Sequence, residues 1–144
     1  MIHLLDINVL IALCDPAHPH ARAARGVFGA GLARYGWATC PLVENGFLRI
    51  FGSRKYPGGP GSTQAARHIL TGLLATPGHQ FWQDDLCLTA ASAFPNLPAS
   101  DDLNDIYLLG LAVNHRGRFA TFDAGIEASL IPGGPAAFCI IPPS

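Results

Sequence analysis

Four carboxylates at the margins of apolar segments constrain this chain more than any other feature. Asp6 closes Ile2-His3-Leu4-Leu5, Glu44 follows Cys40-Pro41-Leu42-Val43, Asp105 opens the run continued by Ile106-Tyr107-Leu108-Leu109, and Asp123 ends Phe119-Ala120-Thr121-Phe122. An acid so placed leaves water only at a cost that a counter-charge must offset. The chain has 10 acids and only 9 lysines and arginines. Those bases fall mostly in polar or loop-like stretches, so a bound divalent cation is the simplest partner for the four acids.

A chain of 144 residues suits one domain, residues 1–144, built on one core. With 49% apolar and 13% charged residues, disorder is excluded. No apolar run reaches the roughly 18 residues that a membrane span needs. The amino terminus enters an apolar strand-like run with no basic leader before it, which leads us to expect a cytoplasmic protein. Cys14, Cys40, Cys87 and Cys139 form no C-x-x-C pair and read as buried free thiols rather than zinc ligands. A net charge of −1 argues against a protein that coats nucleic acid electrostatically. If nucleic acid is the substrate, metal and local arginines must hold it.

The order of elements places the acids. Residues 2–5 read as a strand, followed by a tight turn at Asp6-Ile7-Asn8 and a short helix that Asp15-Pro16 ends. A surface helix is expected from His18 to about Tyr35, a strand at Trp37-Ala38-Thr39, and a helix from Leu42 to Phe51 with Pro41 in its first turn. Gly52 to Ser62, rich in Gly and Pro, reads as a mobile loop carrying Arg54, Lys55 and Tyr56. Further helices are expected over Thr63–Ala75 and Leu103–Val113, and strands at Gln80–Trp82, Phe119–Phe122 and Phe138–Ile141. Residues 83–101 give no clear pattern. Alternating strands and helices predict an α/β three-layer sandwich with a mostly parallel central sheet flanked by helices. Sites in such sheets form beyond the carboxyl ends of the strands, where Asp6 and Asp123 fall. Glu44 and Asp105 are expected to join them from the first turns of their helices.

Clustered carboxylates cannot all stay ionised without a cation, because like charges raise one another's pKa. Mg²⁺ or Mn²⁺ prefers oxygen ligands and leaves coordination positions for water and phosphate oxygens. The reaction class implied is metal-assisted phosphodiester hydrolysis.

Four ordered blocks carry a family resemblance: Leu-Leu-Asp-Ile-Asn-Val-Leu-Ile at 4–11, Trp-Ala-Thr-Cys-Pro-Leu-Val-Glu-Asn-Gly-Phe at 37–47, Asn-Asp-Ile-Tyr-Leu-Leu-Gly-Leu-Ala at 104–112 and Ala-Thr-Phe-Asp at 120–123. Together they resemble PIN domains, specifically the VapC-type toxins of type II toxin–antitoxin systems. The resemblance implies a PIN-like fold and a Mg²⁺- or Mn²⁺-dependent endoribonuclease that leaves a 5′-phosphate and a 3′-hydroxyl. It also implies inhibition by a cognate VapB-type antitoxin and a homodimer. By position, Asp6, Glu44, Asp105 and Asp123 match the acidic, metal-binding tetrad, and Asn8 and Thr121 match supporting polar positions. The chain departs from the family where Asn104-Asp105-Ile106 replaces the frequent Thr-Asp-Ala.

Each acid also has a plainer reading. Asp6 and Asn8 suit Asx turns, Glu44 and Asp105 suit the first turns of helices, and Asp123 suits a cap or turn. Arg49, Arg54 and Lys55 are candidate RNA contacts, with Tyr56 available to stack on an unpaired base, against the alternative of a solvated surface. His18 and His20 could approach the substrate or simply be solvated. The rival functions are a catalytically silent PIN-like module that binds RNA or protein, and a phosphoryl-accepting α/β domain.

Overall fold

The computed structural model describes residues 1–143. Five short strands form one sheet: β1 (His3–Leu5), β2 (Trp37–Thr39), β3 (His79–Phe81), β4 (Arg118–Thr121) and β5 (Phe138–Ile140). Their order is β3-β2-β1-β4-β5 and every pairing is parallel. Leu4 and Leu5 are successive in β1 and so face opposite sides of the sheet, yet both are fully buried. Helices therefore cover both faces, giving the α/β sandwich that the alternating pattern predicts. Among the described residues no helix is long and apolar enough to cross a membrane.

Helix α1 (Ile7–Cys14) starts directly at Asp6, which caps it, so the separate turn expected at residues 6–8 is absent. Val9, Leu10, Ile11 and Ala12 are all buried, as befits a helix covered on several sides. The helix expected from His18 begins instead at α2 (Ala21–Val27), passes through a π-helical turn at Phe28–Leu32 and ends as α3 (Ala33–Tyr35). Gly29 and Gly31 lie within this irregularity and Gly26 just before it, consistent with their weak support for regular helix. Helix α4 (Pro41–Phe51) has proline at its first position, and α5 (Thr63–Leu74) is capped by the Ser62 hydroxyl, which accepts from Ala65 N–H.

Helix α6 (Leu103–Asn114) buries seven consecutive residues, Ile106 to Ala112, against β1, β4 and the short α7 (Gly134–Ala137). Residues 83–99 contain neither helix nor strand. Part of this segment packs on α6 through Phe94, whose ring lies so close to Gly110 that a Cβ there would come within 2.6 Å of it. All four cysteines are free, but only Cys40 is buried and Cys87 is exposed.

The end of α6 shows how local chemistry fixes the approach to β4. Gly117 N–H donates to Ala112 carbonyl (2.8 Å) and Arg116 N–H to Val113 carbonyl (3.0 Å), the paired bonds of a Schellman turn. The left-handed residue is Arg116, at φ 57°, not the neighbouring glycine. Gly117 is required for another reason: a Cβ there would lie 2.5 Å from Ile2 carbonyl oxygen and 2.7 Å from the Trp82 ring. Arg116→Gly is expected to raise stability by about 0.5–1 kcal/mol in urea denaturation, because it removes the left-handed penalty on a residue with a Cβ. Gly117→Ala should lower it by about 1–3 kcal/mol.

Candidate active site

The sheet order makes β1 central, with the chain moving outward through β2 and β3 on one side and through β4 and β5 on the other. The connections leaving β1 and β4 diverge, which opens a crevice beyond their carboxyl ends. Leu5 pairs with Ala120 in register, so Asp6 and Thr121 come next to each other at the mouth of that crevice.

Thr121 organises the site. Its hydroxyl donates to Asp6 Oδ2 (2.6 Å) and accepts from Asp123 N–H (3.0 Å) and, more weakly, from Asn8 Nδ2 (3.4 Å). Asp6 Oδ1 accepts from Ile7 N–H (2.7 Å), capping α1, so the capping and the site readings of this residue hold together. Asp123 Oδ1 accepts from Gly125 N–H (2.8 Å), an Asx turn that fixes the loop after β4. Asp105 reaches the same place from the first turn of α6. Beside it, Asn104 is exposed and Ile106 is fully buried, so the substitutions flanking Asp105 affect helix packing and leave the carboxylate in place.

Asp6, Asn8, Asp105 and Asp123 line one cleft of about 370 Å³, with Ile7, Ile11 and Ile50 as its apolar walls. His18 and Tyr56 complete the lining. The three acids feel one another. Burial pushes the Asp105 carboxyl up to about 7, aided by the charges of Asp6, Asp123 and Asp102. Burial also raises Asp6, with Asp123 adding to the shift, while the bonds from Thr121 and Ile7 N–H pull the other way. Another cavity, of about 240 Å³ and lined by Met1, Val113 and Arg116 among others, contains none of these acids.

Glu44 is placed differently from the sequence expectation. It is not among the residues lining the cleft. Its Oε2 accepts from the Thr39 hydroxyl (2.7 Å), and that hydroxyl in turn lies 2.7 Å from His79 Nε2. Because the single Thr39 proton goes to Glu44, His79 must supply the proton of the second bond. This chain of polar groups ties α4 to β2 and β3, and nothing in the spacing of Glu44, Thr39 and His79 announces it.

The remaining candidates are also repositioned. Arg49, Arg54 and Lys55 are exposed and none lines the cleft. The Gly52–Ser62 segment, expected to be mobile, is a succession of turns closed by Tyr56 N–H to Ser53 carbonyl and Gly59 N–H to Tyr56 carbonyl. Tyr56 is not free to stack on a base: its hydroxyl donates to Asp15 Oδ2 (2.6 Å) and its ring meets Phe51 edge-on at 5.0 Å. Asp15, itself buried, thus clamps the segment after α1 to the segment after α4.

The donor set fits a hard divalent cation. It is all oxygen, its carboxylates repel one another, and the buried Asn8 Oδ1 beside them has no hydrogen-bond partner. Among the described residues, no group of three Asp, Glu, His or Cys side chains is arranged to enclose an ion by itself. Water and substrate oxygens would fill the other positions, as is usual for Mg²⁺.

No protein-family model matches the chain. Curated relatives do. The chain is 37% identical to Ribonuclease VapC44 of Mycobacterium tuberculosis over 132 residues, covering 90% of this chain and 92% of that protein. It is 37% identical to Ribonuclease VapC39 of the same organism, over 92% of this chain and 96% of that one. The chain belongs to the VapC ribonuclease family. The expectation of a VapC-type toxin ribonuclease is therefore borne out. A chain of the crystal structure of VapBC2 from Rickettsia felis, bound to a DNA fragment from their promoter, superposes with a TM-score of 0.60. It covers 92% of this chain and 94% of that one at 15% identity, and so supports the fold.

Two measurements follow from this geometry. Thr121→Val keeps the shape but strands Asp6 Oδ2 and Asp123 N–H, and it should lower stability by about 1–3 kcal/mol in urea. In metal-free protein, a carboxyl raised from 3.8 to about 7 binds protons more tightly folded than unfolded. Its stabilising contribution is therefore complete below about pH 4 and is lost as pH rises to about 7. Thermal denaturation in EDTA should show that decline, and Asp105→Asn should flatten it; an unchanged slope in the variant would contradict the shared-charge cleft.

Proposed function

We propose that this VapC ribonuclease hydrolyses RNA with Mg²⁺ or Mn²⁺ held by Asp6, Asp105 and Asp123. The reading rests above all on the three acids converging on one cleft at the divergence of β1 and β4. When bound, the cation supplies neutralising charge to the scissile phosphate and lowers the pKa of a water nucleophile. Asp6 is oriented by bonds from the Thr121 hydroxyl and Ile7 N–H, one to each carboxylate oxygen. Asp105 and Asp123 close the same cleft from α6 and from the loop after β4. Thr121, itself met by Asn8, holds Asp6 and the Asp123 backbone in place, and Glu44 remains an assisting acid, with Oε2 taken by Thr39. The exposed Arg49, Arg54 and Lys55 lie outside the cleft, suited to phosphates farther along the strand. Cleavage leaves a 5′-phosphate and a 3′-hydroxyl.

The partner on the protein side is a VapB-type antitoxin, whose arginine would neutralise the acidic cleft in place of the cation. The Rickettsia felis neighbour, a VapBC2 structure, supports that pairing. On this reading the protein acts in the cytoplasm, where RNA and such a partner are met, and pairs as the homodimer that the family resemblance implies. A phosphoryl-accepting role is disfavoured because Lys55, the only lysine, is exposed and away from the acids.

Asp6→Asn and Asp105→Asn are each expected to lower cleavage of purified cellular RNA by at least about 100-fold, and to abolish growth inhibition on expression. EDTA should silence the parent and Mn²⁺ should restore it. Cleavage that persists in EDTA, or in both variants, would overturn the reading. Light scattering should give twice the chain mass.

A further inference from the structure

The cleft has a shortage that its substrate must meet. RNA carries one negative charge per nucleotide, yet neither an arginine nor a lysine lines the cavity beside the three acids. Hydrogen-bond donors are scarce as well. One N–H of the Asn8 amide goes to Thr121 and the Tyr56 hydroxyl to Asp15. His18 is different. Its Nδ1 accepts from His20 N–H at 3.0 Å, so a neutral ring must carry its proton on Nε2. Burial and the nearby His20 lower the His18 pKa, partly countered by Asp15, which favours that neutral form. Nε2 has no partner among the described residues, which leaves it, beside the second N–H of the Asn8 amide, as an uncommitted side-chain donor in the cleft lining.

The ring is held where it stands. Asp15 Oδ1 accepts from Ala17 N–H (2.9 Å), Asp15 carbonyl accepts from His18 N–H (3.1 Å), and His18 carbonyl accepts from Ala21 N–H (3.0 Å). The His20 ring stacks on Phe122 at 4.6 Å, joining this turn to the segment that carries Asp123. His18 and Tyr56 also line an adjoining cavity of about 280 Å³ with Pro19 and Pro57. His18 therefore stands between the acidic cleft and this second cavity.

We propose that His18 is a substrate-binding residue whose Nε2–H donates to a non-bridging phosphate oxygen of the RNA strand that enters the acidic cleft. This rests on the ribonuclease reading, since the ligand is the strand that enters the acidic cleft. A neutral donor suits that place: it grips a phosphate without drawing the acids into an ion pair.

Three variants separate the donor from the turn it sits in. His18→Ala removes both ring functions. His18→Asn can still accept from His20 N–H but does not reach as far as Nε2, whereas His18→Gln places an amide donor near the Nε2 position. Binding is read by anisotropy with a labelled single-stranded 20-mer of random RNA sequence, in Mg²⁺ and on the Asp105→Asn background. His18→Ala and His18→Asn should each weaken it about tenfold, and His18→Gln should recover most of the loss. On the parent background, cleavage of purified cellular RNA should show a raised KM with kcat nearly unchanged. Binding equal to the parent in His18→Ala, or rescue by Asn and not by Gln, would overturn the proposal. If the parent cleaves no RNA with Mn²⁺ present, the ribonuclease reading fails first, and the binding arm still decides whether His18 touches RNA.

Discussion

The hydrogen bond from the Thr121 hydroxyl to Asp6 Oδ2, 2.6 Å long and wholly shielded from solvent on the threonine side, is what the rest of the site depends on. It joins the ends of two adjacent parallel strands at the point where their connections diverge. A carboxylate buried to this degree is tolerated only when its oxygens are partnered. Thr121 supplies one partner and the first N–H of α1 supplies the other. The same hydroxyl then receives Asp123 N–H, so a single side chain sets the positions of two acids contributed by opposite ends of the chain.

The site is built against its own stability. Three carboxylates converge, and the charges of Asp6 and Asp123 add to burial in holding Asp105 near neutral pH. Such strain persists because the surrounding sheet and α6 over-determine the positions, with α6 buried along seven consecutive residues. A fold free of that function would have no reason to keep these acids together. Function and stability thus compete within one cleft, and a counter-ion or a cationic side chain is the natural way to relieve the conflict.

The elements legible in the sequence were those whose signals are local. Apolar runs of three or four residues marked β1, β2, β4 and β5, and Pro41 marked the start of α4. Other features were hidden because nonlocal contacts decide them. The π-helical turn at Phe28–Leu32 interrupts a stretch whose spacing suits continuous helix. Residues 83–99 hold no regular structure, yet Phe94 is buried against Gly110. The Gly/Pro-rich segment after α4 looked mobile because its composition disfavours helix and strand, but Tyr56 reaches across to Asp15, 41 positions earlier, and fixes it.

By itself the sequence determined which acids stand at strand and helix ends, and from that the class of chemistry and the family. That much follows from local rules, since an acid at the edge of an apolar run must lie at a rim. Only the tertiary structure decided which acids share a cleft. Asp6, Asp105 and Asp123 do, because β1 and β4 are neighbours and α6 points its first turn at their ends, whereas Glu44 is drawn to Thr39 and His79. It also decided that His18 and Tyr56 form the wall beside those acids. Strand order and side-chain hydrogen bonds are long-range properties, and no spacing along the chain encodes them.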